Sequence, residues 1–281
     1  MSSNFFAEQN FLFQSIVTIE EQRKKLNELA EYFKVNEEGY EDMLHYVASK
    51  RQLKYETIKE SGAFFINEDT PIALIPEEYQ HESYGLCRNN RVMYAGRCVF
   101  PVYDVKGDIM GFCGWDSVLK PKYLDSMNYG YKAKRNCFYG MERLNEYYNN
   151  SKPVIVVEGL FDCLLLRELG LQSFAMLGSM LSYYVVIILK RFGNRLIVIP
   201  DNDNYEGLTV EETAGEGFVN QVFRKLPEAR VFQTVNFKDL NDCWRDEEHK
   251  QYLETDLKNI GSMLYSYKEL RQRANGRRKR W

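Results

Sequence analysis

Three groups of carboxylates stand directly behind short apolar runs in the second half of the chain. Glu158-Gly159 follows Val154–Val157, with Asp162 one helical turn further on. Asp201-Asn202-Asp203 follows Leu196–Ile199, and Lys238-Asp239-Leu240-Asn241-Asp242 comes soon after the run at 230–235. In an open parallel sheet, ligands bind outside the carboxyl ends of the strands, so acids placed this way meet at one edge. Gathered there they would repel one another and hold their protons unless a divalent cation neutralised them. Oxygen donors without His or Cys suit Mg²⁺ or Mn²⁺. Such ions catalyse phosphoryl transfer by holding both the attacking and the leaving oxygen. A Glu-Gly after a strand is common, and a D-x-D opens many solvated helices. The order of the three groups and their setting are what point to a metal site.

That setting is an alternation of strands and helices beginning at Pro153. Val154–Val157 precedes a helix ending at Gly170, and a strand over 173–177 precedes Gly178 and another helix. Leu196–Ile199 leads to Asp201 and a helix over 211–226, and the run at 230–235 closes the series. This spacing predicts a parallel sheet with helices on both faces. Upstream, Thr18-Ile19-Glu20-Glu21 has the form of a capping box. Leu26, Leu29, Ala30 and Phe33 then recur at i, i+3, i+4 and i+7, predicting an amphipathic helix over 18–34 that packs on its own core or on a partner. A second helix is expected over 40–49. β-rich runs at 97–104 and 108–113 flank Lys106-Gly107, a hairpin signal. The expected fold is therefore α/β, a parallel-sheet domain over 153–250 preceded by an α+β subdomain over 45–152. A helical segment over 1–44 and a helix with a basic tail over 251–281 complete the chain.

With 281 residues, 44% of them hydrophobic and 14% aromatic, the chain can bury a core. Its net charge of −3 gives no global sign of nucleic-acid binding, so any such surface must come from local segregation of charge. Residues 86–143 carry ten basic against five acidic side chains, and 268–280 carry seven basic against Glu269 alone. The six cysteines form no CxxC pair and there are only three histidines, which predicts reduced core thiols, no disulfide and no zinc site. The N-terminus lacks a basic signal-peptide region, and the longest apolar run, 185–189, is too short to span a bilayer. A soluble, cytoplasmic protein with no membrane partner is expected.

Arg97-Cys98-Val99-Phe100-Pro101-Val102-Tyr103-Asp104 and the following stretch 106–114, KGDIMGFCG, resemble the "R-x-x-F-P-I-x-D … G-x-x-x-G-F-x-G" segment of DnaG-type primases. Pro121-Lys122-Tyr123-Leu124-Asp125-Ser126 is similar to that family's "PKYLNS", and Lys134 through Tyr139-Gly140 to its "K-G-x-x-L-Y-G". Lys50-Arg51-Gln52-Leu53, with Glu56, Thr57 and Ile58, is similar to "RGLS-x-E-x-I". The match runs in order over 45–245. The resemblance implies that the parallel-sheet domain is a TOPRIM domain preceded by a primase N-terminal subdomain. It places Glu158, Asp162, Asp201, Asp203 and Asp239 at the acidic positions that hold one or two Mg²⁺. Glu158 would be general base or metal ligand, with Asp201 and Asp203 completing the catalytic group. Arg51, Arg97, Lys122 and Lys134 would face template or nucleotide phosphates.

The implied activity is synthesis of RNA primers on single-stranded DNA from ribonucleoside triphosphates, with a replicative helicase as partner. Three departures qualify it. The first cysteine is Cys87, so the family's N-terminal zinc module has no counterpart in this sequence, and about thirty residues follow the last TOPRIM element, too few for its helicase-binding domain. Trp115 stands where the family has an arginine. The final acidic pair reads Asp239 with Asn241-Asp242 displaced by one, leaving Asp239 or Asp242 as the last ligand. Such a stripped core suggests a bacteriophage or mobile-element replication protein. Two other readings share these residues. One is a TOPRIM nuclease; the other is a non-catalytic module that binds single-stranded DNA or loads a helicase through the basic tail with Tyr265, Tyr267 and Trp281.

Overall fold

The computed structural model describes residues 23–35, 38–80, 86–125, 137–178, 181–201, 214–232 and 237–260. The chain forms two compact units, Met1–His45 with Lys59–Lys132, and Tyr46–Ile58 with Ala133–Trp281. The division falls inside a helix, and it assigns 46–58 and 133–152 to the same unit as the parallel sheet. A β-bridge between Tyr139 and Ala175 and a bond from Arg195 Nη1 to the Tyr147 carbonyl, 3.2 Å, tie the second of these segments in. No helix of the described residues is long and apolar enough to cross a membrane.

The first unit contains α1 (23–35), the start of α2 (Tyr40–Arg51), and an antiparallel sheet. α3 (Tyr55–Glu60) leads from the second unit into β1 (Phe64–Ile66) of the first. The small hairpin of β2 (Cys87–Arg88) and β3 (Arg91–Val92) follows, then β4 (Arg97–Tyr103), β5 (Ile109–Trp115) and β6 (Tyr123–Asp125). Sheet order is β1-β4-β5-β6. The turn between β4 and β5 falls at Lys106-Gly107. There Asp104 Oδ1 accepts from the backbone N–H of Lys106 and Asp108, and Gly107 takes a φ of 86° that side chains disfavour. Pro101 is tolerated in β4 because β1 pairs only as far as Val99, so no neighbour on that side requires its missing N–H.

α1 packs inward on its own unit. Leu26, Leu29, Ala30 and Phe33 join Phe64, Tyr94, Ile109 and Phe112 in one core, with Phe33 stacked on Phe64 at 5.7 Å. Arg23 pairs with Asp104 at 3.0 Å and ties the helix to the hairpin. The sequence left open whether this apolar stripe meets the core or a partner, and the core takes it; residues 18–22 lie outside the described residues. Phe33→Ala is expected to cost about 3–5 kcal/mol of stability, the usual range for emptying a packed aromatic site. Urea denaturation followed by the fluorescence of the three tryptophans, of which Trp115 lies in this unit, checks the loss, and a value below about 1 kcal/mol would show that α1 is peripheral to the core.

The second unit continues with α4 (Leu144–Tyr148) and a sheet of four parallel strands: β7 (Val154–Val157), β8 (Gln172–Ala175), β9 (Leu196–Ile199) and β10 (Arg230–Val231). Between them run α5 (Leu160–Glu168), α6 (Tyr183–Lys190) and α7 (Ala214–Lys225), and α8 (Leu240–Trp244) and α9 (Lys250–Lys258) follow. β7, β8 and β9 are buried along their whole length, which is why β7 and β9 read as unbroken apolar runs in place of alternating ones. Spatial order is β10-β9-β7-β8, so the chain leaves β7 to one side for β8 and returns to its other side for β9. Right-handed crossovers then put α5 on one face and α6 and α7 on the other. The order reverses between β7 and β9, and their carboxyl ends flank the crevice where such sheets bind ligands.

Candidate active site

Glu158 and Asp201 occupy that crevice. Glu158 is the first residue after β7, and Asp201 lies two residues after β9. Both are half-buried, and the Asp201 backbone N–H donates to Glu158 Oε1 at 3.1 Å. Gly159 next to Glu158 opens α5 as its N-cap, and it is held to a bare α-hydrogen by Asp162: a Cβ there would stand 2.5 Å from Asp162 Oδ2.

Asp162 lies in the first turn of α5 and is only 5% exposed. Its Oδ1 accepts from the Asn241 backbone N–H at 2.8 Å. Burial holds its carboxyl well above the ordinary carboxylate range, and the charges of Asp239 and Asp201 push the same way; the Asn241 N–H and the Arg51 guanidinium offset part of this. Asp239 is the N-cap of α8, its Oδ1 accepting from the Asp242 N–H at 2.7 Å. It too is raised by burial, against the Asp242 N–H and the charges of Arg51 and Lys238. Asp242 turns to the surface and pairs with Arg245. Of the two candidates for the last acidic position, Asp239 is the one that shares a field with Asp162.

Asp203 lies outside the described residues, and among the described residues no three His, Cys, Asp or Glu side chains are disposed to hold a metal ion between them. The donor chemistry is nevertheless the kind a hard divalent cation takes: Glu158 and Asp201 meet beyond the strand ends, and the buried Asp162 carboxyl feels the charges of Asp239 and Asp201.

The four predicted basic positions separate. Arg51 is 5% exposed, with Nη1 donating to Asn241 Oδ1 at 3.1 Å and its guanidinium 4.1 Å over the Phe161 ring. Arg97 is also 5% exposed and donates through Nη1 to the Lys122 carbonyl at 3.2 Å. Neither is presented to a phosphate in this conformation. Both are committed to internal partners because they stand on buried stripes: Arg51 completes the series Leu44, Val47, Ala48 on α2, and Arg97 opens the buried strand β4. Lys122 is exposed, while Lys134 lies outside the described residues, as does the basic tail. Trp115 is buried at the end of β5. All six cysteines are free and buried.

A basic feature that the sequence reading passed over is the β2–β3 hairpin. Asn89 and Asn90 have φ of 50° and 60°, as a two-residue hairpin turn requires, and they leave Arg88 and Arg91 directly opposite each other and exposed. Like charges facing across a hairpin are unfavourable unless an anion lies between them. The signal was the Arg-Asn-Asn-Arg string itself.

No protein-family model matches the chain. It is 32% identical over 179 residues to a DNA primase of Clostridium acetobutylicum, an alignment covering 60% of this chain and 28% of that protein. The chain therefore spans little more than a quarter of that relative. Among solved structures it is similar to the RNA polymerase domain of Mycobacterium tuberculosis primase DnaG, with a TM-score of 0.69 at 15% identity, covering 91% of this chain and 87% of the other. It is also similar to a DnaG primase catalytic domain bound to single-stranded DNA, with a TM-score of 0.64 at 22% identity, covering 85% of this chain and 82% of the other.

Proposed function

We propose that this chain, similar in sequence to DNA primases and in fold to DnaG catalytic cores, synthesises short RNA primers on single-stranded DNA. The observation that carries this reading is the meeting of Glu158 and Asp201 at the switch point of the parallel sheet. In this reading the sheet with its acidic edge is a TOPRIM domain, and the substrates are a DNA template and ribonucleoside triphosphates. The 3′-hydroxyl oxygen of one ribonucleotide forms a bond to the α-phosphorus of the next, and the bond from that phosphorus to the bridging oxygen breaks, releasing pyrophosphate. Glu158 would take the hydroxyl proton or hold an ion. Asp201, Asp203 and Asp239 would hold one or two Mg²⁺, with Asp162 behind them. When bound, the ions would stabilise the charge developing on the attacking and leaving oxygens.

Incubation with single-stranded DNA, labelled ribonucleotides and Mg²⁺ tests the reading. Short RNA products support it. Shortened DNA would select a nuclease with the same site, and DNA binding without chemistry would select a helicase-loading module.

We infer that the antiparallel unit supplies the template-facing cations, from Lys122 and the Arg88–Arg91 hairpin. Each phosphate contact on a single strand contributes about 0.7 to the slope of log K against log salt. Arg88→Ala with Arg91→Ala is expected to lower that slope by about 1.4, and Lys122→Ala by about 0.7, with synthesis on saturating template retained. Slopes equal to wild type in fluorescence-anisotropy titrations would return these side chains to solvated surface.

A further inference from the structure

We propose that Arg51 and Asn241 form a clasp that positions the acidic edge, so that Arg51 acts through α8 and not by contacting a phosphate. The metal consequence of this clasp rests on the reading given above; its structural part does not.

α8 is five residues long, too short to hold its own place, so whatever anchors it also places its N-cap, Asp239. The anchor is the end of α2. That helix stops at Arg51, and Gln52 reverses the chain with a φ of 51°. The last carbonyls of a helix have no partner within it. Here two carbonyls at the turn are both taken up by α8: Asn241 Nδ2 donates to the Arg51 carbonyl at 2.9 Å, and Trp244 Nε1 donates to the Gln52 carbonyl at 2.9 Å. The Arg51 side chain returns the bond through Nη1 to Asn241 Oδ1, and its plane lies on Phe161 of α5. Asn241 is 1% exposed and spends its backbone N–H on Asp162. One side chain on α2 and one on α8 thus fix Asp162 and Asp239 relative to each other. The same segment grips the far end of α5, where Glu168 Oε2 accepts from the Lys54 N–H and the Thr57 hydroxyl, each at 2.7 Å.

The clasp also accounts for an amide where an acidic pair would put a second carboxylate. Asn241 must accept from Arg51 Nη1 and donate to the Arg51 carbonyl at once. An aspartate could accept but not donate, and it would add a negative charge beside Asp162.

Arg51→Ala, Arg51→Lys and Asn241→Asp in the full chain test this by hydrogen exchange, by salt-dependent binding to single-stranded DNA, and by Mn²⁺ binding followed by electron paramagnetic resonance. Expected is at least about tenfold faster exchange of the amides at 240–245 in all three, with amides of β4 and β5 unchanged and the DNA salt slope unchanged. Mn²⁺ affinity is expected to fall by about 10–100-fold, the usual cost of losing an outer partner of a metal site. Lys keeps the charge but not the planar fork, so Arg51→Lys should resemble Arg51→Ala, and it serves as the folded variant should Arg51→Ala unfold. Unchanged exchange at 240–245, full rescue by Lys, or a slope lowered by about 0.7 would overturn the clasp. A wild-type chain that binds no Mn²⁺ would overturn the metal reading instead, and the exchange data would still judge the clasp.

Discussion

Glu158→Gln is expected to lower RNA synthesis by about 10²–10⁴-fold, the range for losing a positioned proton acceptor, while leaving the denaturation midpoint unchanged. The two outcomes separate because of where Glu158 sits. It is half-buried just beyond the central strand β7, where its Oε1 accepts the Asp201 N–H at 3.1 Å. A glutamine Oε1 accepts the same bond in nearly the same volume, so the crevice keeps its shape. What disappears is the negative charge that would take a proton or hold an ion. Primer products on a sequencing gel give the rate, and a urea curve on the same preparation gives the stability. Near-normal synthesis by this variant would remove the acidic edge from the reaction.

Much of this architecture was legible because it rests on local rules. β7 and β9 announce themselves as unbroken apolar runs rich in β-branched residues, and Glu158 and Asp201 follow them in the chain. α1 was legible from the spacing of Leu26, Leu29, Ala30 and Phe33. The surroundings of Arg51 and Arg97 were not, because they depend on partners far away in sequence. Arg51 meets Asn241 across 190 positions, and no period or motif records that meeting. Arg51 does stand on one stripe with Leu44, Val47 and Ala48, but arginine is so rarely enclosed that the spacing alone does not announce its burial. Arg97 likewise opens a strand whose first six residues are all buried, and its partner, the Lys122 carbonyl, lies 25 positions away. The division of the chain was hidden too. Residues 46–58 are joined to α5 and α8 by side-chain bonds that local texture does not encode.

Asp162→Asn is expected to move stability and activity in opposite directions. Asp162 is enclosed, and burial together with the charges of Asp239 and Asp201 raises its carboxyl in the folded state. As pH rises above the ordinary carboxylate range, the unfolded chain releases this proton while the folded chain retains it, so this group's contribution to stability falls until the raised value is passed. Above that window the full cost remains. An asparagine carries no such cost and can still accept the Asn241 N–H through its own Oδ1. The metal-free variant should therefore unfold at a higher urea concentration than wild type at pH 8, and the difference should vanish below the ordinary carboxylate range. Mg²⁺ should reverse the ranking. A ligand at a hundred times its dissociation constant stabilises the state it binds by about 2.7 kcal/mol, and the variant, with one charge fewer at the edge, should receive less of it. RNA synthesis should fall by about 10–100-fold in parallel. Urea curves from pH 4 to pH 8 with and without Mg²⁺ decide the matter. A metal-free variant less stable than wild type at pH 8 would mean that Asp162 serves the fold as a hydrogen-bonding carboxylate, and that the strain at this edge is not what a cation is there to relieve.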